Sequence, residues 1–380
     1  MRLKNCMAKL REGKTISVVA LGGSITTGHQ ARPPDSAGGA NHVNVWLQGK
    51  ARESGGCEPV GSVEFRNSGA SGTDSAFASI RVRDHVLAYN PDLVIVEYAV
   101  NDQWLDDRVR KRSFEGIIRR LLEGSDRALV LIALNEKGDP EKSNCVPKVR
   151  REQAEIGSYY NIPVLAWADW VKPCEWDTYF SGEETIHPNN EGHANIASGI
   201  IRFLNAAWDA PHQTAPVSAA GQALPPPLFS AEFQNVNFID SSQAAAIVKN
   251  SGWEKKPAIL PDEWPSRSGR QIYGWTTSDP RANLAIRVRG KSVGVLLAES
   301  DRFFNSLAWL EDLDGSAKTA KIIIKNYVDW RIGYYGYAYA EIADNLDPLK
   351  EYILRIGINP DGKTGASTHI IGVICTDNRD

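Results

Sequence analysis

The segment 16–27, ISVVALGGSITT, confines this chain more than any other, because a run of β-branched and aliphatic residues stops abruptly at two glycines and a serine. Residues 16–21 suit a central parallel strand buried on both faces, and Gly22 and Gly23 permit the tight turn needed between that strand and a helix. Ser24 therefore stands at a strand-to-helix corner that presents its hydroxyl. Unpaired backbone N–H groups at such a corner carry partial positive charge and can hold an oxyanion formed when the hydroxyl attacks a carbonyl. An ordinary Gly-Ser turn uses the same residues, so partners elsewhere in the chain decide between the two readings.

One partner lies far downstream, where Glu184-Thr185-Ile186-His187-Pro188-Asn189 precedes a helical pattern over 191–208. A residue before proline is driven toward extended backbone, and proline suits the first turn of a helix, so His187 is held on a loop as a candidate base. Glu184, three residues earlier, is spaced to fold back onto the other ring nitrogen and stabilise the imidazolium. Two further apolar runs end in small or amide residues. The block Phe65-Arg66-Asn67-Ser68-Gly69-Ala70-Ser71-Gly72 offers Gly69, whose bare backbone N–H can approach a substrate oxygen. The run 93–98 leads to Asn101, whose side-chain NH₂ can do the same. Taken singly, each block is also an ordinary turn or helix cap.

Strand-like runs at 16–21, 63–67, 93–98, 128–134 and 163–168 alternate with amphipathic stretches at 75–89, 113–123 and 147–160. That rhythm predicts an α/β fold in which right-handed crossovers cover both faces of a parallel sheet. Ligands of such sheets bind at the carboxyl ends of the strands. Ser24, Gly69 and Asn101 each follow such an end.

In order and spacing these blocks resemble those of the SGNH hydrolases, the GDSL-type esterases and lipases, over residues 14–208. The resemblance implies a flavodoxin-like three-layer α/β/α domain, with Ser24 as nucleophile and His187 as base. It also implies an oxyanion hole made by the Ser24 N–H, the Gly69 N–H and the Asn101 amide. The first block here reads Gly-Gly-Ser-Ile-Thr rather than Gly-Asp-Ser, a variation seen among carbohydrate-directed relatives, and Ala99 stands where glycine is common. Glu184 replaces the usual aspartate as the third catalytic member. If its longer side chain does not reach His187, Glu183, Asp177 or a backbone carbonyl is left to orient the ring.

After Trp208 the texture changes to alanine and proline with little charge, which marks 209–227 as a linker between a domain at 1–208 and another at 228–380. Short alternating runs at 284–288, 292–297, 321–324, 352–356 and 370–375 predict an all-β sandwich of jelly-roll type. The turn Asp312-Leu313-Asp314-Gly315 and the later Leu346-x-Pro348-Leu349-Lys350-x-Tyr352 resemble the sandwich attached to carbohydrate esterases of the acetyl-xylan type, which implies a carbohydrate-binding role. Trp104 and Arg32 are the candidate substrate contacts. Trp104 follows Asn101 by three residues, and Arg32 sits in the segment 29–42, read as a loop over the site. Trp253, Trp264, Trp275 and Trp330 are either sugar platforms or core.

The chain has 380 residues, 42% of them hydrophobic, and a net charge of −3, enough for more than one core and too acidic for a nucleic-acid partner. The N-terminal stretch lacks the uninterrupted apolar core of a secretory signal, and no run of about 18 apolar residues suggests a membrane span. Five scattered cysteines, Cys6, Cys57, Cys145, Cys174 and Cys375, read as reduced thiols and favour the cytoplasm. Gly13-Lys14-Thr15 lacks the earlier glycine of a phosphate loop, and His187 and His193 lack a third metal ligand on one face, so no cofactor and no metal are expected. The expected activity is hydrolysis of an O-acyl ester, by resemblance O-acetyl on a saccharide. Its rivals are an O-acyltransferase using the same Ser-His pair and a glycan-binding protein with impaired catalysis.

Overall fold

β1 (Ile16–Gly22) is almost entirely buried because strands flank it on both sides. Its neighbours are β2 (Val63–Gly69) and β3 (Leu93–Glu97), followed by β4 (Ala128–Ala133) and β5 (Val164–Ala166). The five form a parallel sheet in the order β2-β1-β3-β4-β5, with Gly22 level with both Gly69 and Glu97. This is the order of a flavodoxin-like sheet, whose direction of winding reverses between β1 and β3 and opens a crevice there.

The computed structural model describes residues 2–54, 62–137, 146–210, 223–264, 271–327, 335–359 and 367–377. Cys57, Cys145, Trp330 and most of the expected linker lie outside them. Two compact units emerge. The first comprises Met1–Ser75, Arg81–Lys111 and Ile118–Leu228, and the second Ala76–Ile80, Arg112–Ile117 and Phe229–Asp380.

The helices are α1 (Arg2–Arg11), α2 (Ser24–Thr27), α3 (Pro34–Ala37), α4 (Gly39–Ser54), α5 (Ser75–Ser79), α6 (Val82–His85), α7 (Ala99–Asp102), α8 (Asp107–Leu122), α9 (Val146–Tyr159) and α10 (Asn190–Trp208). On one face of the sheet, Met7 and Leu10 of α1, Val43 and Leu47 of α4, and Ile196, Ile200 and Leu204 of α10 join Val18, Ile95 and Val130 in one core. Each such side chain contributes about 1.5–3 kcal/mol when fully buried. On the other face Val149 of α9 packs with Ala99, Ala133 and Ala166, and Arg110 of α8 reaches Glu152 of α9 at 2.7 Å.

Two local expectations change. The stretch 75–89 is not one helix but α5, α6 and a 3₁₀ turn at Leu87–Tyr89, and it breaks where Arg81 turns fully inward. The segment 29–42 is not a free loop: α3 and the first turn of α4 occupy it, and Arg32 exchanges hydrogen bonds with Asn190. Pro33 and Pro34 set the start of α3, which favours helix over irregular backbone.

The second unit is built from β6 (Asn235–Ile239), β7 (Ile247–Ser251), β8 (Glu254–Pro257), β9 (Tyr273–Thr277), β10 (Asn283–Val288), β11 (Ser292–Glu299), β12 (Ser306–Glu311), β13 (Ile322–Ile324), β14 (Gly336–Ala343), β15 (Tyr352–Ile358) and β16 (Thr368–Asp377). One antiparallel sheet runs β13-β12-β15-β10-β7, the other β14-β11-β16-β9-β8, with β6 also paired to β16. Leu310, Leu284 and Leu354 of the first meet Val295, Ile370 and Val373 of the second in a shared core, the arrangement of a sandwich. Trp253, Trp264 and Trp275 are buried, so packing accounts for them and none is a sugar platform.

α10, which carries the chain away from His187, passes so close to the Trp170 ring at Gly199 that a Cβ there would lie inside contact distance. The Trp170 ring is itself fixed by a 3.0 Å bond from Nε1 to Asn195 Oδ1. Gly199→Ala is expected to destabilise the first unit by about 1–3 kcal/mol through overpacking. Urea unfolding followed by tryptophan fluorescence measures this, and an unchanged midpoint would contradict the packing described.

Candidate active site

At the end of β1 the chain turns in a space so tight that an added side chain would force a neighbour to move. A Cβ on Gly22 would stand 2.6 Å from the Glu97 carbonyl oxygen, and one on Gly23 would stand 2.6 Å from Asn101 Oδ1. The two glycines therefore bring β1 down against the end of β3, and Ser24 opens α2 immediately afterwards. Its hydroxyl lies 2.9 Å from His187 Nε2, although 163 positions separate the two residues.

His187 is held by what surrounds it in sequence. Asn189 caps α10 by accepting the Gly192 N–H at 2.9 Å, and its own side chain donates to the Thr178 carbonyl, which pins the start of the helix. Glu184 Oε1 accepts the N–H groups of Ile186 at 2.8 Å and His187 at 3.1 Å. Its other oxygen faces His187 Nδ1 at 3.4 Å. That separation lacks hydrogen-bond alignment and becomes an ion pair only when the ring is protonated, and Nδ1 has no hydrogen-bond partner among the described residues. Glu184 thus reaches the ring electrostatically while spending its better hydrogen bonds on the loop backbone.

The electrostatics follow from burial. Desolvation holds the His187 pKa below its ordinary 6.5, the His29 ring 4.2 Å away adds to this, and the Glu184 carboxylate partly offsets it. For Glu184, burial pushes the carboxyl up, but the Ile186 and His187 amides and the His187 ring outweigh it, so its pKa falls below 4.5. His187 is therefore neutral and Glu184 ionised near neutral pH, the states a general base and its orienting acid need.

Asn101, in α7, sets its side-chain amide against Gly23. That amide has no hydrogen-bond partner among the described residues, as a donor awaiting a ligand requires. Gly69 is placed differently. Its N–H already donates to Asn67 Oδ1 at 2.9 Å, and its lack of a side chain admits the Thr27 backbone N, 2.6 Å from where a Cβ would sit. One residue further, Ala70 donates to the Gly22 carbonyl at 3.0 Å, and the turn ends at Gly72, whose φ is +72°. The Gly72 N–H has no acceptor among the described residues. Ser71 Oγ lies 3.5 Å from Thr27 Oγ1, so this turn borders α2, the helix that Ser24 opens.

Trp104 is 78% exposed, while Arg32 has its backbone tied to Asn190 and its guanidinium on the Ala31 carbonyl. Asp177 pairs with Lys137 at 3.2 Å and not with His187. His193 accepts the Gly39 N–H on Nδ1, which leaves Nε2 to donate to the His29 carbonyl at 3.0 Å, a structural tautomer unsuited to metal. Among the described residues no group of three potential metal ligands occurs, and no helix is long and apolar enough to cross a membrane.

Two acids and one base beneath this rim escaped assignment from sequence. Glu97 ends β3 fully enclosed, and burial pushes its carboxyl up to about 7 against the pull of the Thr26 hydroxyl and the Gly23 and Val100 amides. Asp102, raised well above 3.8 by burial and by Asp74, accepts the Ser75 N–H at 2.8 Å. Arg81 spans the ends of three strand segments. A charged residue closing the otherwise apolar run LVIVE was a visible signal for Glu97. Arg81 gave no such signal, since arginine on an amphipathic stretch normally faces water.

Residues 20–194 match the model of the GDSL-like Lipase/Acylhydrolase family. Among solved structures, the whole chain is similar to 95% of a two-domain esterase active on acetylated mannans, co-crystallised with mannopentaose, at 21% identity and a TM-score of 0.78. A second structure of a two-domain esterase active on acetylated mannans gives the same coverage and TM-score at 20% identity. At these identities the likeness establishes the shared two-part fold, and a search of curated proteins gives no match. The stretch from the end of β1 into α10, residues 20–194, is thus the part of the chain that is similar to the GDSL-like lipase/acylhydrolase family.

Proposed function

We propose that the protein is a serine esterase that removes O-acetyl groups from a saccharide through an acyl-enzyme. The 2.9 Å approach of Ser24 Oγ to His187 Nε2 carries this reading. The carbohydrate part rests on the exposed Trp104 ring three residues past Asn101, and on the full-length likeness to an esterase that acts on acetylated mannans.

In this reaction Ser24 Oγ attacks the ester carbonyl as its proton passes to His187 Nε2. The negative oxygen that forms is held by the Ser24 N–H, the Asn101 side-chain NH₂ and an N–H from the turn after β2. We assign that third donor to Gly72 rather than Gly69, whose N–H is already engaged by Asn67. His187 then gives its proton to the departing sugar oxygen, which leaves Ser24 acetylated. Water, deprotonated by His187, attacks the acetyl group and releases acetate and free Ser24. Glu184 steadies the imidazolium through its 3.4 Å contact.

The test is turnover of p-nitrophenyl acetate and of acetylated manno- and xylo-oligosaccharides, with acetate release measured. Ser24→Ala and His187→Ala are expected to abolish turnover, and Asn101→Ala to lower kcat by about 100–1,000-fold, the usual cost of one oxyanion donor. Glu184→Gln is expected to cost less than His187→Ala. Ser24→Ala turning over as fast as the wild type would overturn the esterase reading, while acetate release from the ester but from no glycan would overturn the saccharide.

Because His187 must be neutral to accept the proton, and its pKa is lowered, kcat/KM should fall on the acid side with a midpoint below 6.5. His29→Ala should move that midpoint up, and Glu184→Gln should move it down. Glu97→Gln separates this limb from any ionisation of the buried carboxyl near 7. A midpoint unmoved by either neighbour would contradict His187 as the base.

A further inference from the structure

The guanidinium of Arg81 is fully buried, and no carboxylate among the described residues pairs with it. Its two terminal nitrogens bond neutral oxygens, and Nε has no hydrogen-bond partner among the described residues. Nη1 donates to the Ser68 carbonyl at 2.6 Å, while Nη2 donates to the Gly22 carbonyl at 2.9 Å and to the Tyr98 hydroxyl at 2.5 Å. Each acceptor leads directly into a different part of the rim. Gly22 precedes the Gly23-Ser24 turn, Ser68 precedes the turn over 69–72, and Tyr98 precedes the helix that carries Asn101.

We infer that Arg81 is a positioning residue for the reaction: one planar fork fixes the spacing of the three strand ends that present Ser24, the Gly72 turn and Asn101. The inference rests on the esterase reading above. A rigid guanidinium holds three acceptors at set angles, which a lysine ammonium on a flexible stem does not reproduce. The fork also grips the Ser68 and Gly22 peptide groups from their carbonyl side, polarising the amides that follow them. Displacement of any one strand end separates the hydroxyl from the groups that must receive the oxyanion, and misplacement of about 1 Å is enough to cost two orders of magnitude in rate.

The experiment compares wild type, Ser24→Ala, Arg81→Lys and Tyr98→Phe on p-nitrophenyl acetate. Rates are expressed per folded molecule from circular dichroism, and melting temperature is recorded alongside. Arg81→Lys is expected to lose about 10–100-fold in kcat with KM changed by no more than about threefold, and Tyr98→Phe to lose less in the same direction. A purely structural role would lower the melting temperature and leave kcat per folded molecule at the wild-type value in both variants, which overturns the inference. If Arg81→Lys does not fold, Tyr98→Phe decides alone by the same criterion. A wild-type rate no higher than that of Ser24→Ala would overturn the esterase reading and this inference together. Ser24-dependent turnover with both variants unimpaired would overturn the inference only.

Discussion

A single hydrogen bond between Ser24 and His187 joins two points 163 positions apart, and it is far too weak to bring them together by itself. Closing a loop of that length costs on the order of 4–5 kcal/mol in chain entropy, whereas one such bond returns roughly 1 kcal/mol net. The meeting is therefore imposed from elsewhere. Ile196, Ile200 and Leu204 seat α10 on the same core as Val43 and Leu47 of α4, and Trp167, Trp176 and Phe180 pack together beneath the chain that leads to His187. The apolar core positions the imidazole, and the Asn189 cap and the Glu184 backbone contacts refine its loop.

That economy explains why Glu184 does two jobs imperfectly. A carboxylate one methylene longer than aspartate can fold under the loop and accept two backbone N–H groups with one oxygen while the other still faces the ring. The loop gains rigidity, and the ring gains a charge without an aligned hydrogen bond. In the proposed reaction this still favours an imidazolium once the proton has moved, because a nearby negative charge in a half-buried site is only weakly screened.

Much of the first unit was legible because parallel strands advertise themselves. Continuous apolar runs such as Ala128–Ala133 leave little choice of structure, and the residue types just beyond their ends name the rim. Gly69 shows the limit of this reasoning. Sequence places a glycine at a strand end, but whether its absent side chain serves a ligand or a neighbouring backbone depends on contacts that only the fold creates, here Thr27 and Asn67. Arg81 and the segment 29–42 were hidden for a related reason: a guanidinium turned inward and a proline-started helix both look, in one dimension, like solvent-facing chain. In the second unit alternation revealed the sandwich, while the burial of Trp253, Trp264 and Trp275 depended on which sheet face each ring met.

The close approach of Gly23 to Asn101 has a consequence for how this rim tolerates change. The atom nearest to a Cβ at position 23 is the tip of the Asn101 amide, not backbone, so an intruding side chain can be accommodated at small energetic expense by swinging that tip aside. The group that yields is the very one assigned to the substrate oxygen. Positions 23 and 101 thus act as one locus, at which variation is nearly silent to a screen for folding and loud to a screen for turnover.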